Sequence, residues 1–119
     1  MPKPKRRILL VEDDPDVSEV FHFSLAAAGY AVESVQTAEA AHHLMEQVQY
    51  DLVISDWRLP TGGDGMAVVN RAADRGIKTL LISGYLFQLS DADRRHEYLM
   101  KPVRSNELVA TIERLLERA

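Results

Sequence analysis

The chain contains no cysteine, so disulfides, zinc–thiolate centres and cysteine nucleophiles are excluded, and the composition suits a reducing compartment such as the cytoplasm. It also lacks any long apolar run. After the basic opening MPKPKRR comes ILLV, four apolar residues before an acid. A signal peptide needs roughly 7 to 15 such residues and a membrane span about 20, so neither export nor insertion is expected. Positive charge is not in excess either: a net charge of −4 gives no general affinity for nucleic acid or an anionic membrane. Any anionic ligand must therefore be held by a local device. The basic residues within 1–6 read as a solvated tail ahead of the first strand rather than a nucleic-acid patch. No repeat, linker or low-complexity segment interrupts the 119 residues, a length that suits one domain spanning 1–119.

What is present is an alternation. The apolar, β-prone runs RILLV, YAVESV, DLVIS, IKTLLIS and EYLM read as strands, and longer segments of helical period separate them. Asp14-Pro15 caps the first helix, whose Val17, Val20, Phe21, Ser24 and Ala28 share a face before the stop at Gly29. Thr37 caps a second, with Ala41, Leu44, Met45 and Val48 on one side; Asp64 caps a third, running through Met66, Val69 and Ala73 to Gly76. The last helix begins near Ser105 and carries Leu108, Ile112, Leu115 and Leu116. Strands separated by helices demand parallel pairing with right-handed crossovers, so the expected fold is a five-stranded, doubly wound α/β sandwich. Between Tyr85 and His96 the pattern fails, and a fourth helix there is expected to be short or irregular.

Ligands of open α/β sheets bind beyond the carboxyl ends of the strands, and four of the five ends are marked. ILLV ends in Glu12, Asp13 and Asp14; LVIS in Asp56; TLLI in Ser83; YLM in Lys101-Pro102. Each residue has an ordinary reading, since strands must end in something polar and Asp14 serves as a helix cap. Their joint placement does not. If the first and third strands are neighbours, about 4.8 Å apart, Asp13 and Asp56 are crowded. Two unit charges at 4 Å repel by about 4 kcal/mol at an effective dielectric of 20, which calls for a counter-charge or a raised pKa. Mg2+, which takes one or two carboxylates plus waters and phosphate oxygens, matches Asp13, Asp56 and an incoming phosphoryl group, with Glu12 holding a coordinated water. Lys101 supplies the remaining positive charge.

Taken in order, each after its own strand, VEDD, DLVISDWRLP, LLISG and YLMKP resemble the receiver domain of two-component response regulators over nearly the whole chain. The resemblance implies a flavodoxin-like (βα)5 fold with strand order 2-1-3-4-5, in which the first and third strands are indeed adjacent. It implies Asp56 as the phosphoacceptor, and Glu12, Asp13, Asp56 and the backbone carbonyl of Arg58 as the Mg2+ site. Ser83 and Tyr98 match the switch pair, and Lys101 the phosphate-binding lysine. The bond from Lys101 to Pro102 is a cis candidate, proline being the residue for which that isomer is cheap. Arg58 and Tyr85 match positions flanking the path of hydrolytic water; both are bulky, which implies a long-lived phosphoform.

The implied donors are a histidine kinase or a histidine phosphotransfer protein, and the implied output is a downstream protein, with the chain catalysing only its own phosphorylation and dephosphorylation. With the chain closing on its last helix, the expectation is a stand-alone receiver, and with a short fourth helix removing much of the surface through which the family dimerises, a monomeric one; the alternative is a receiver excised from a hybrid histidine kinase or a larger response regulator. Rival readings fare worse. A flavin binder of this architecture needs a hydroxyl- and glycine-rich loop where Glu12, Asp13 and Asp14 stand. An aspartate-based phosphatase resembling the haloacid dehalogenase family needs a second acid where Arg58 stands. An unphosphorylated interaction module has no use for the full set. His42 and His43, about 100° apart on a helix, read as solvated and receive no role. Trp57 reads equally as a loop lid or a partner contact.

Overall fold

LVIS carries no polar residue before Ser55, and a strand with no alternation must be covered on both faces. The computed structural model, which describes residues 5–59, 63–84 and 96–117, provides that cover. The strands β1 (Arg7–Val11), β2 (Ala31–Val35), β3 (Leu52–Asp56), β6 (Lys78–Ser83) and β7 (Glu97–Met100) form one sheet, and a two-stranded ribbon, β4 (Arg58–Leu59) with β5 (Gly63–Asp64), sits beside it. The sheet order is β2-β1-β3-β6-β7 with every pair parallel. Counted by sheet strands alone, this is the expected order 2-1-3-4-5. β3 is buried throughout, whereas the edge strands β2 and β7 are half-exposed.

The helices α1 (Pro15–Ala27), α2 (Ala38–Gln47), α3 (Gly65–Asp74) and α4 (Ser105–Glu117) divide between the two faces. Ile8, Leu10, Leu52, Ile54, Leu80 and Ile82 point to one side, against Phe21 and Leu25 of α1 and Leu108 and Ile112 of α4. Leu9, Val11 and Val53 point to the other, against Ala41 and Met45 of α2 and Val68 and Ala72 of α3. The period-2 geometry of a strand makes this division automatic. Asp14 accepts from the amides of Asp16 and Val17, Thr37 from Ala40, and Asp64 from Met66, so the expected caps start their helices.

Two local expectations are corrected. The buried stripe of α1 is Ser18, Phe21 and Leu25, while Val20 is 52% exposed and Ala28 is exposed. Leu25, which the expected face omitted, is the larger apolar anchor, and placing it inward turns Val20 out. The ribbon β4–β5 was not expected either. The segment 85–95, including the uncertain fourth helix, lies outside the described residues.

Candidate functional site

The parallel register brings the marked strand ends together. Val11 pairs with Ser55 across β1 and β3, so Glu12 and Asp13 leave β1 beside Asp56. Carboxylate oxygens of Glu12, Asp13 and Asp56 lie within 4.8 Å of one another. The Lys101 ammonium reaches Asp56 Oδ2 at 2.5 Å, and the Arg58 amide donates to Asp56 Oδ1 at 3.3 Å. β7 is aligned by Ser83 opposite Met100, and the Lys101 amide donates to the Ser83 carbonyl at 2.8 Å. Around these groups is a pocket of about 270 Å3, lined by Asp13, Asp56, Trp57, Arg58, Ser83, Gly84 and Lys101. The Lys101–Pro102 bond is cis.

Among the described residues the electrostatics are unbalanced. Glu12 and Asp56 are only 3% and 6% exposed, and three acids gather at the Lys101 ammonium. Burial pushes the Glu12 carboxyl up to about 7; the Asp56 charge adds to this, while the Asp14 amide and Lys101 oppose it. Burial alone would lower the Lys101 ammonium, but its hydrogen bond to Asp56 and the charges of Asp56, Glu12 and Asp13 hold it above the ordinary lysine value. A cluster of hard oxygen donors with surplus negative charge fits Mg2+, which needs few protein ligands and keeps its waters.

The other expected residues fall nearby. Ser83 is fully buried at the end of β6. Tyr98 sits opposite Leu81, two residues nearer the amino edge than Ser83, and packs with Trp57 and Met66 around Val69 and Leu81. Trp57 is thus part of an apolar cluster, with the Arg58 guanidinium 5.8 Å from its ring centroid. Tyr85 lies outside the described residues. His42 corrects the expectation of a solvated ring: it is half-buried, its Nδ1 has no hydrogen-bond partner among the described residues, and burial lowers its pKa. His43 is exposed, with Nε2 3.3 Å from Gln47 Nε2.

Sequence reasoning missed three residues of consequence. His96 is 6% exposed, with Nδ1 2.6 Å from Thr79 Oγ1 and Nε2 2.7 Å from Asn70 Oδ1. Ser55 and Gly65 press on the backbone of Asp56. The Gly-Asp-Gly run at 63–65 was the available signal for the latter, since a glycine just inside a cap often marks a close approach.

A sheet of this order with an acid cluster and a lysine at its carboxyl edge has the architecture of a receiver domain. A family model for the response regulator receiver domain matches residues 8–113, and the chain belongs to that family. The transcriptional regulatory protein TctD of Salmonella typhimurium is 34% identical over 120 residues, 95% of this chain and 53% of the relative. The response regulator receiver protein CpdR of Brucella abortus is 32% identical over 117 residues, 93% of this chain and 97% of that protein. The chain therefore spans about half the length of the transcriptional regulators it matches and nearly all of CpdR. Among solved structures, response regulator protein TrrA of Thermotoga maritima, in complex with Mg2+ and BeF, superposes with a TM-score of 0.83 at 29% identity, covering 93% of this chain and 99% of that one. No helix among the described residues is long and apolar enough to cross a membrane.

Proposed function

We propose that this chain is a phosphoacceptor switch in which Asp56 takes a phosphoryl group from a histidine kinase or a histidine phosphotransfer protein and the resulting rearrangement controls a partner. The observation that carries it is the clustering of Glu12, Asp13 and Asp56 within 4.8 Å beside a pocket that Lys101 enters. Glu12, Asp13, Asp56 and the Arg58 carbonyl would hold Mg2+, which when bound offsets negative charge on the incoming group.

The carboxylate of Asp56 is the nucleophile. A new bond forms from its oxygen to phosphorus as the bond from phosphorus to the donor breaks, and the leaving group departs with that electron pair. Formation of this acyl phosphate removes the carboxylate charge that Lys101 faces and places close to two negative charges on the phosphoryl oxygens, so the ammonium follows the charge. The Ser83 hydroxyl can donate to the same oxygens, and its movement leaves space toward which Tyr98 turns. One hydrogen bond to a charged group yields roughly 1.5–3 kcal/mol, while moving a two-state equilibrium from 1:99 to 99:1 needs about 5.5. Ser83 and Lys101 must act together. The chemistry is confined to the chain's own phosphorylation and dephosphorylation.

Two settings suit this switch. Relatives twice as long favour a receiver within a larger regulator, whereas CpdR favours a receiver that acts alone. Incubation with acetyl phosphate and Mg2+ should add the mass of one phosphoryl group, and Asp56→Asn should abolish the addition. Labelling of the Asn variant at the wild-type rate would overturn the assignment.

A further inference from the structure

The phosphoacceptor's backbone is gripped more closely than a strand end requires. A Cβ at Gly65 would stand 1.8 Å from the Asp56 carbonyl oxygen, 2.9 Å from its carbon and 3.0 Å from Ser55 Oγ. These separations are impossible for any other residue without moving α3 or β3. Ser55, fully buried, donates its hydroxyl to the same carbonyl oxygen at 2.9 Å. The amide side of that peptide unit is also tied, since Trp57 N–H donates to the Ile82 carbonyl of β6 at 2.8 Å. Gly65 N–H in turn donates to the Trp57 carbonyl at 3.2 Å.

We infer that Ser55 and Gly65 form a clamp that sets the plane of the Asp56–Trp57 peptide, making both positioning residues for phosphoryl transfer, an inference that rests on Asp56 being the acceptor. The plane of this peptide fixes ψ of Asp56 and hence the line along which its carboxylate leaves β3 toward Asp13 and Lys101. It also fixes the start of the two-residue step to Arg58, whose amide meets Asp56 Oδ1. Gly65 acts by what it lacks: the first turn of α3 lies directly on the carbonyl. Ser55 acts by its hydroxyl, which holds the oxygen from within β3.

The test is the rate of phosphorylation by acetyl phosphate at saturating Mg2+, followed by intact mass, with thermal stability measured on the same samples. Gly65→Ala should lower the maximal rate on the order of 10²-fold, the loss that a misplacement near 1 Å produces. Ser55→Ala should lower it by up to about tenfold, the worth of one hydrogen bond. In both, the donor concentration at half-maximal rate should stay at the wild-type value, and Ser55→Thr, which keeps the hydroxyl, should restore the rate. Ala72→Gly in α3, which weakens the helix away from Asp56, should lose stability without losing rate. If Gly65→Ala does not fold, the Ser55 pair decides. Ser55→Ala at the wild-type rate, or a loss of rate shared by Ala72→Gly or by Ser55→Thr, would overturn the clamp. A wild-type protein that acquires no phosphoryl group on Asp56 would overturn the proposed function itself, a distinct outcome.

Discussion

The two edges of the sheet treat buried polarity in opposite ways. At the carboxyl edge, Glu12, Asp13 and Asp56 gather beside the Lys101 ammonium, and burial, with the Asp56 charge adding to it, displaces the Glu12 carboxyl to about 7. At the amino edge, His96 sits between Thr79 and Asn70 with both ring nitrogens in hydrogen-bond range. Asn70 Oδ1 can only accept, so Nε2 carries the hydrogen, and the Thr79 hydroxyl, which both donates and accepts, meets Nδ1. Toward the other side of the sheet, buried Tyr50 donates its hydroxyl to Glu33 of β2, and the exposed Arg7 amide donates to the Asp51 carboxylate. Among the described residues, the amino edge pairs its buried ring nitrogens, whereas the carboxyl edge gathers three carboxylates around one ammonium. That difference separates a site that stabilises the fold from one that stabilises a ligand.

Lys101→Ala gives the sharpest contrast between the edges, because it removes the ammonium that is paired with Asp56. The Lys101 side chain is 42% exposed and screened by solvent, whereas the Asp56 side chain is 7% exposed and is left beside two other acids, so unfolding by urea should change by roughly 1–3 kcal/mol. Phosphorylation by acetyl phosphate should slow by roughly 10²-fold or more, the cost of removing a group aimed at developing charge. An unchanged rate with a large fall in stability would make Lys101 a structural residue and erase the distinction.

His96→Ala makes the complementary break. The substitution leaves Thr79 and Asn70 to seek other partners and opens a void beneath β7, at a cost of roughly 2–4 kcal/mol. The rate constant for phosphorylation of the folded protein should be unaltered. Equilibrium denaturation with a midpoint equal to that of the wild type would mean that the amino edge is no better matched than the carboxyl edge.

These two edges were not equally legible in the amino-acid sequence. Glu12, Asp13, Asp56, Ser83 and Lys101 stand out because each ends an apolar run, and chirality and parallel pairing then bring the ends together. Helix starts were legible because Asp14, Thr37 and Asp64 act on amides two or three residues away. His96 was not, since Asn70 and Thr79 lie 26 and 17 residues from it and no local pattern announces a buried ring. The approach of Gly65 to Asp56 is equally tertiary. Val20 was misassigned for a different reason: an apolar residue at one border of a helical stripe packs or turns outward according to the partner at the other border, here Leu25.

Glu12→Gln has the smallest expected effect and reverses the usual sense of a buried substitution. Its carboxyl is 3% exposed and faces Asp56, so in the absence of a divalent cation the charged form is disfavoured in the folded state. The folded value of about 7 lies above the ordinary glutamate value of 4.5, so the folded protein binds the proton more tightly than the unfolded chain does. The stabilisation associated with the protonated carboxyl is thus fully present below about 4.5 and is lost as pH rises to about 7. The amide cannot lose a proton, so Glu12→Gln should match the wild type near pH 4.5 and exceed it at pH 8 in EDTA. The gain should be on the order of 1–2 kcal/mol, a few degrees in Tm. Added Mg2+ should raise the Tm of the wild type more than that of the variant, closing the gap. Scanning calorimetry of both proteins at the two pH values, with and without Mg2+, measures these differences. A variant less stable than the wild type at pH 8 in EDTA would show that Glu12 is already balanced, as His96 is at the opposite edge.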